Sequence, residues 1–398
     1  MEKLFQYSSS RINAVPLDFK RYLWDEINWN NRLIALTGAR GVGKTTMLLQ
    51  YIKEKLNRNP EEVIYVSMDD LFFSTNNIVD FADAFVKRGG RFLFLDEIHK
   101  YRNWSQEIKN IYDYFVDLQI VITGSSALDI FKGTADLSRR AILYRMQGLS
   151  FREFLQMKYH HTFPVLRLEE LLENPSQPIE NILKKIKPLK YFEEYMQKGY
   201  YPYFAEDEQS YFERLKQTVN HILEVDLPSV EKIDFISVHH LRKLLSIIAV
   251  IVPFKPNISK LSEQVGVSRE TLMKYLYLLE RADLLMLLQS RNKGISRMNK
   301  PEKVYLNNTN LMYALSDTTV NTGTLRETFI YNQLQEKYPV RYTEGGDFLA
   351  DGKYTIEVGG SNKSRKQVRG IHHAYIAADN IEYAHNSTIP MWLFGFLY

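Results

Sequence analysis

The chain has 398 residues, 45% apolar and 25% charged, with 51 basic against 47 acidic residues and a formal net charge of +4. That length exceeds one ordinary core and fits two or three globular domains of ~150 residues, while so mild a charge leaves nucleic-acid binding to local clusters of cations. The lack of cysteine excludes disulfides, thiolate zinc sites and cysteine nucleophiles, and fits a reducing compartment.

Residues Met1 to Ser10 lack the apolar stretch of a secretory signal, and no run approaches the ~20 apolar residues needed to span a bilayer. The expectation is a cytoplasmic protein without a membrane segment. Apolar residues at Phe19, Tyr22, Leu23 and Ile27 predict a helix over Phe19 to Trp29, within an amino-terminal helical segment of residues 1–30.

Arg32 to Leu36 then reads as a buried parallel strand that ends at a glycine. Gly38, Ala39, Arg40, Gly41, Val42, Gly43, Lys44 and Thr45, followed by Thr46, spell the phosphate-cradling loop G-x-x-x-x-G-K-[ST]. Leu48, Tyr51, Ile52 and Leu56 recur at helical spacing, so a helix should follow over Met47 to Leu56. Its amino end would aim backbone N–H groups and a positive dipole at phosphates, with Lys44 reaching the β- and γ-phosphates and the Thr45 hydroxyl ligating Mg²⁺.

Val63 to Met68 reads as a strand and Asn77 to Lys87 as a helix. Arg91 to Leu95 is another strand, running into the adjacent carboxylates Asp96 and Glu97. That pattern looks like a Walker B element: Asp96 would hold the Mg²⁺ shell and Glu97 would orient the attacking water, although such a pair alone also describes a solvated loop. Glu107 to Phe115 predicts a helix, and Gln119 to Thr123 a strand ending in Gly124, Ser125 and Ser126. Thr123 and Ser125 are candidate polar sensors of the γ-phosphate; a helix N-cap is the alternative. With Ala141 to Met146 as a final strand, residues 31–150 read as an α/β P-loop NTPase core. Its parallel sheet carries helices on both faces, with an extra strand between the two nucleotide motifs.

Residues 151–235 read as a helical connector or lid broken near Pro164, Pro175, Pro178, Pro188 and Pro202. Residues 236–306 carry a helix-turn-helix pattern over Ile258 to Glu280. Candidate wing strands at Leu284 to Leu288 and Val304 to Leu306 enclose a cation-rich loop. Arg269, Lys274, Arg291, Lys293 and Arg297 are candidate contacts to double-stranded DNA, against the alternative of a protein-docking winged helix. In residues 307–398, Glu327 on a helix, Asp347 before a hairpin and Glu357 on a strand match the metal site of restriction-type nucleases, except that Gly359 stands where the lysine belongs. Lys363 or Lys366 would have to replace it.

Taken together, the phosphate loop through Thr46, Leu95 to His99, Thr123 to Ser126, Leu137 to Arg140, Leu149 to Leu155, and Gly345 to Phe348 with Ile356 to Val358 resemble the prokaryotic AAA-type ATPases that end in a domain of unknown function. The resemblance covers essentially the whole chain. It implies an AAA-like core that takes ATP rather than GTP, a winged helix, and a small α+β restriction-nuclease-like end domain. It also implies that Arg140 acts as a sensor or arginine finger, in cis or toward a neighbouring copy in a homo-oligomer; a surface cation is the alternative.

Overall fold

Runs of apolar residues too short for a helix and bounded by turn formers become the central strands. They are β1 (Leu33–Thr37), β2 (Val63–Ser67), β3 (Phe92–Asp96), β4 (Gln119–Gly124) and β5 (Ile142–Arg145). All pair in parallel, in the order β2-β3-β4-β1-β5. Strand β4 therefore separates β1, which feeds the phosphate loop, from β3, which ends at Asp96. The computed structural model describes all residues except 57–58, 60, 125–136, 138, 231–232, 252–254, 291–299, 317–319 and 365. The expected roles of Ser125, Arg291, Lys293 and Arg297 thus fall outside the described residues.

The chain divides into two units, one of Met1–Gln147 with Val225–Lys232, the other of Gly148–Glu224 with Ile233–Tyr398. In the first, alternate strand residues share a face, so Leu33, Ala35, Ile64, Val66, Leu93, Leu95, Ile120 and Ile122 form one apolar layer. Helices α4 (Ile78–Val86) and α5 (Trp104–Tyr114) supply Phe81, Phe85, Ile108 and Ile111 to the same core. The Asn77 side chain caps α4 by accepting the Asp80 N–H at 2.7 Å.

The amino-terminal segment departs from expectation. A 13-residue helix, α1, spans Glu2–Ala14, and the helix expected over Phe19 to Trp29 shrinks to the single turn α2 (Leu23–Glu26). Helix α1 lies against β2, at the edge of the sheet, where Ser8 Oγ accepts the Tyr65 N–H at 3.0 Å and so occupies a donor of that exposed edge. Residues between α1 and α2 are tied to the helix after the phosphate loop: Gln50 Nε2 donates to the carbonyls of Pro16 and Phe19, both at 2.8 Å. That helix, α3, runs Lys44–Tyr51 and passes into a π-helical turn over Ile52–Leu56.

The second unit begins with helix Phe151–Tyr159, started by a reciprocal capping box between Ser150 and Glu153. Helices Leu168–Glu173, Ser176–Leu183, Pro188–Lys198 and Tyr211–His221 follow. Pro178 does not break its segment as expected, because it sits in a first helical turn, whose N–H groups have no partner within the helix to lose. Helices Ile258–Val265 and Arg269–Arg281 flank Gly266, which adopts φ 89°. Strands β6 (Leu285–Leu288) and β7 (Lys303–Leu306) then pair antiparallel. Helix Thr322–Gln335 precedes a second five-stranded sheet, ordered β12-β11-β10-β9-β8. Its strands are Val340–Arg341 (β8), Phe348–Ala350 (β9), Tyr354–Gly359 (β10), Ala374–Ala378 (β11) and Thr388–Pro390 (β12).

Candidate nucleotide site

The carboxyl ends of β1, β3 and β4 bring the phosphate loop, Asp96, Glu97 and Thr123 to one edge of the sheet. This is the edge where open parallel sheets present ligand sites. The loop must pass close to β5: a Cβ on Gly38 would lie 2.1 Å from the Met146 carbonyl oxygen, so no larger residue fits there. Gly43, at φ 100°, is the cap from which α3 starts. The buried Lys44 folds its ammonium onto the Gly38 and Ala39 carbonyls, each at 2.8 Å.

Asp96 is 3% exposed and is the hub of the site. Its Oδ2 accepts from Thr45 Oγ1 at 2.8 Å and from the Tyr65 hydroxyl at 2.7 Å, and its Oδ1 accepts from the Thr123 hydroxyl. Burial, with the Asp96 charge adding to it, pushes the Tyr65 phenol far up, so Tyr65 stays a hydrogen-bond donor. Thr123 Oγ1 also accepts the Glu97 N–H at 3.0 Å, holding the two strand ends together.

Glu97 adopts φ 55°, a left-handed conformation that a non-glycine residue seldom takes and that concentrates at functional sites. Burial pushes its carboxyl above the usual range; Lys44 opposes that, Asp96 reinforces it, Arg40 opposes it and Asp226 reinforces it. Around Glu97 Oε2 stand Arg40 Nη1 at 3.9 Å and His99 Nε2 at 3.5 Å. Arg40 Nη1 also lies 3.5 Å from Asp226 Oδ1.

Sequence reasoning missed three members of this cluster. Arg21, 5% exposed, donates to the Val42 carbonyl and, at 2.8 Å, to that of Gln147, bracing the phosphate loop from a segment expected to be an outer helix. Tyr65 looked like an ordinary strand residue. Asp226 ends a π-helical turn (Ile222–Asp226) far along the chain, and no motif marks it.

The other expected residues fall elsewhere. Arg140 is bidentate to Asp113 of α5, at 3.0 and 2.9 Å, and precedes β5 at the amino edge of the sheet. Strands of about 3.3 Å per residue put that edge roughly 15 Å from the phosphate loop. Within this chain Arg140 is thus paired with Asp113 and stands away from the loop. Arg269 and Lys274 are exposed on helix Arg269–Arg281.

In the second unit, the Lys303 ammonium stands 2.9 Å from both Glu327 Oε2 and Asp347 Oδ1, while Glu357 pairs with Lys363 Nζ at 2.6 Å. Burial would lower the Lys303 pKa, but Asp347 and Glu327 outweigh it and raise it, so the cation persists. A Cβ on Gly359 would lie 2.6 Å from Lys363 Cγ, so the Lys363 side chain lies across the glycine that replaces the expected lysine. Among the described residues, no group of three or more His, Cys, Asp or Glu is disposed to hold a metal ion.

Residues 30–155 match the family model described as an AAA domain, and residues 189–322 match that of a domain of unknown function (DUF8612). Sheet, loop and match agree that the amino-terminal unit contains an AAA-type ATPase domain. The uncharacterized protein MJ1637 of Methanocaldococcus jannaschii is 28% identical over 414 residues, covering 92% of this chain and 87% of that protein. Among solved structures, C. elegans PCH-2 aligns with 39% of this chain and 43% of its own, at 21% identity and a TM-score of 0.26, so the chain spans less than half of that protein. AMPPCP-bound DnaA from Aquifex aeolicus aligns with 70% of this chain and 88% of its own, at 15% identity and a TM-score of 0.25. At such scores these two likenesses carry no weight for function. Among the described residues, no helix is long and apolar enough to cross a membrane.

Proposed function

We propose that the chain binds and hydrolyses ATP with Mg²⁺, and that its nucleotide state controls how the helix-turn-helix and the carboxyl-terminal domain engage a partner, double-stranded DNA. The observation that carries the nucleotide part is the 2.8 Å contact of Thr45 with Asp96, which joins the two nucleotide motifs in one site. The donor set fits both groups. Hard oxygen donors suit Mg²⁺, and Arg40 Nη1 and Glu97 Oε2 are buried polar atoms without a hydrogen-bond partner, as expected where a charged ligand belongs.

In this reading the loop N–H groups from Gly38 to Thr46 receive the phosphates, and Lys44 exchanges its bonds to loop carbonyls for phosphate oxygens. Thr45 and Asp96 would hold the Mg²⁺, which when bound neutralises charge on the phosphates. Glu97 polarises the attacking water, helped by a carboxyl whose pKa is raised toward that of a useful base. Thr123 keeps Asp96 and Glu97 in register and would sense the γ-phosphate. The preference for adenine rests on the family resemblance and the lack of a guanine-reading N-K-x-D motif.

Lys44→Ala should remove most ATP binding, whereas Glu97→Gln should keep binding and lose turnover by about 10²-fold or more. Equal turnover in wild type and Glu97→Gln would remove Glu97 from this role. A nuclease is the weaker reading, because an ammonium between Glu327 and Asp347 competes for the place of a divalent cation. DNA cleavage with Mg²⁺ or Mn²⁺ that is lost in Glu357→Ala would revive it.

A further inference from the structure

Arg40 belongs to the phosphate loop, yet its guanidinium is turned toward two carboxylates, Asp226 Oδ1 at 3.5 Å and Glu97 Oε2 at 3.9 Å. Both distances are longer than a hydrogen bond, and Arg40 Nη1 makes none, so the attraction is ionic and easily exchanged. The side chain of Asp226 is only 2% exposed, whereas that of Arg40 is 32% exposed. A buried carboxylate depends strongly on nearby positive charge, because water cannot screen it. The Arg40 side chain, the more exposed of the two, can leave more readily than the carboxylate.

Asp226 also has a singular place in the chain. It belongs to the short segment Val225–Lys232 that packs with the first unit, while the residues before it (to Glu224) and after it (from Ile233) belong to the second. A change in its environment therefore acts on a stretch covalently tied at both ends to the other unit.

We propose that Arg40 and Asp226 form a nucleotide-responsive ion pair, in which the terminal phosphate of a bound nucleoside triphosphate draws Arg40 away from Asp226 and so loosens residues 225–230. The proposal deepens the ATP-binding reading and rests on it. Triphosphate and Asp226 compete for one guanidinium, so Asp226 lowers triphosphate affinity and triphosphate, by linkage, weakens the Asp226 contact equally. A diphosphate lacks the group that competes, so the effect belongs to the triphosphate.

The test measures equilibrium binding of a fluorescent non-hydrolysable ATP analogue and of the matching ADP analogue to four full-length chains: wild type, Arg40→Ala, Asp226→Asn and the double variant. Asp226→Asn should bind the triphosphate about fivefold to tenfold more tightly with little change for the diphosphate. Arg40→Ala should lose triphosphate affinity, and in that background Asp226→Asn should add nothing. Tightening of the same size with and without Arg40 would mean only that a negative charge has been removed nearby, and would overturn the pair.

A second readout survives if Asp226→Asn fails to fold. Hydrogen exchange of amides in residues 225–230 should rise with the triphosphate analogue but not with the diphosphate, and should already be high in Arg40→Ala without nucleotide. Unchanged exchange in both cases overturns the proposal. A wild type that binds neither analogue refutes the ATP-binding reading itself, whereas normal binding with additive variants refutes only this inference.

Discussion

His99 has a fully buried side chain beside Glu97, and it faces a mixed set of charges. Burial pushes its pKa from the usual 6.5 down to about 4; Asp226 pulls the other way, while Lys100, Lys44 and Arg40 add to the depression. In the unfolded chain the imidazole takes a proton as pH falls through about 6.5, but in the folded chain it does so only near 4. The unfolded state therefore binds more protons between those values, and the stability that neutral His99 supports is complete above pH 6.5 and lost as pH falls toward 4. At ~1.4 kcal/mol per pKa unit, the loss reaches about 3 kcal/mol. Denaturant unfolding at pH 7, 5.5 and 4.5 should show wild-type stability dropping more steeply than that of His99→Gln. Parallel profiles would mean that His99 is not held neutral. The same residue shows why part of the site was hidden in the sequence: His99 adjoins Asp96 and Glu97 in the chain, but its charge state is set by burial, against the pull of Asp226, which a distant part of the chain delivers. Motif reading found Lys44, Thr45, Asp96 and Glu97 because phosphate and Mg²⁺ chemistry fixes their spacing. Nothing fixes the spacing of Arg21 or Asp226.

Elements that bury all round were the most legible. Strands β1, β3 and β4 appear as near-continuous apolar runs, as strands covered on both faces must. Helix α1 was covered only by the general reading of residues 1–30 as helical, because Ser8 to Ser10 interrupt its apolar pattern and it buries only Leu4, Ser8 and Ile12. Strands β11 and β12 were not read either; β11 is rich in alanine and β12 is three residues long and ends in proline. The helix-turn-helix was legible from its caps: Asn257 accepts the Lys260 N–H at 3.1 Å, and Ser268 accepts that of Thr271 at 3.1 Å. Those caps leave Arg269 in the first turn of the second helix and Lys274 one turn further, both exposed, while Leu272, Tyr275, Leu276 and Leu279 are buried. Cations on the outer face of such a helix suit phosphate contacts, which release counterions. Duplex binding should then weaken steeply with salt, and Arg269→Ala with Lys274→Ala should lower the slope of log K against log [salt] by about two. Binding that ignores salt, or an unchanged slope in the double variant, would favour a protein partner for this face.

The second unit is closed by its own distant ends. Ser150 Oγ and Arg152 Nε both donate to the Tyr398 main-chain oxygen, at 2.7 and 2.9 Å, and the Leu166 N–H donates to the Phe396 carbonyl at 2.8 Å. Phe396 packs edge-on against Phe151 and Phe163, at 5.8 and 5.5 Å between ring centres. Gly395 is required at this crossing, since a Cβ there would lie 2.4 Å from the Phe151 Cβ. Met391, Trp392, Leu393, Phe394, Phe396, Leu397 and Tyr398 are each no more than 1% exposed. At about 1.5–3 kcal/mol per buried large apolar side chain, this segment contributes roughly 10 kcal/mol or more of gross burial free energy, before the entropy of ordering it is subtracted. A chain ending at Pro390 should therefore lose the cooperative unfolding of the second unit, and limited proteolysis should cut it beyond Gly148 at protease levels that spare the full chain. If the shortened chain keeps its melting midpoint within a few degrees, the carboxyl-terminal segment does not close this core.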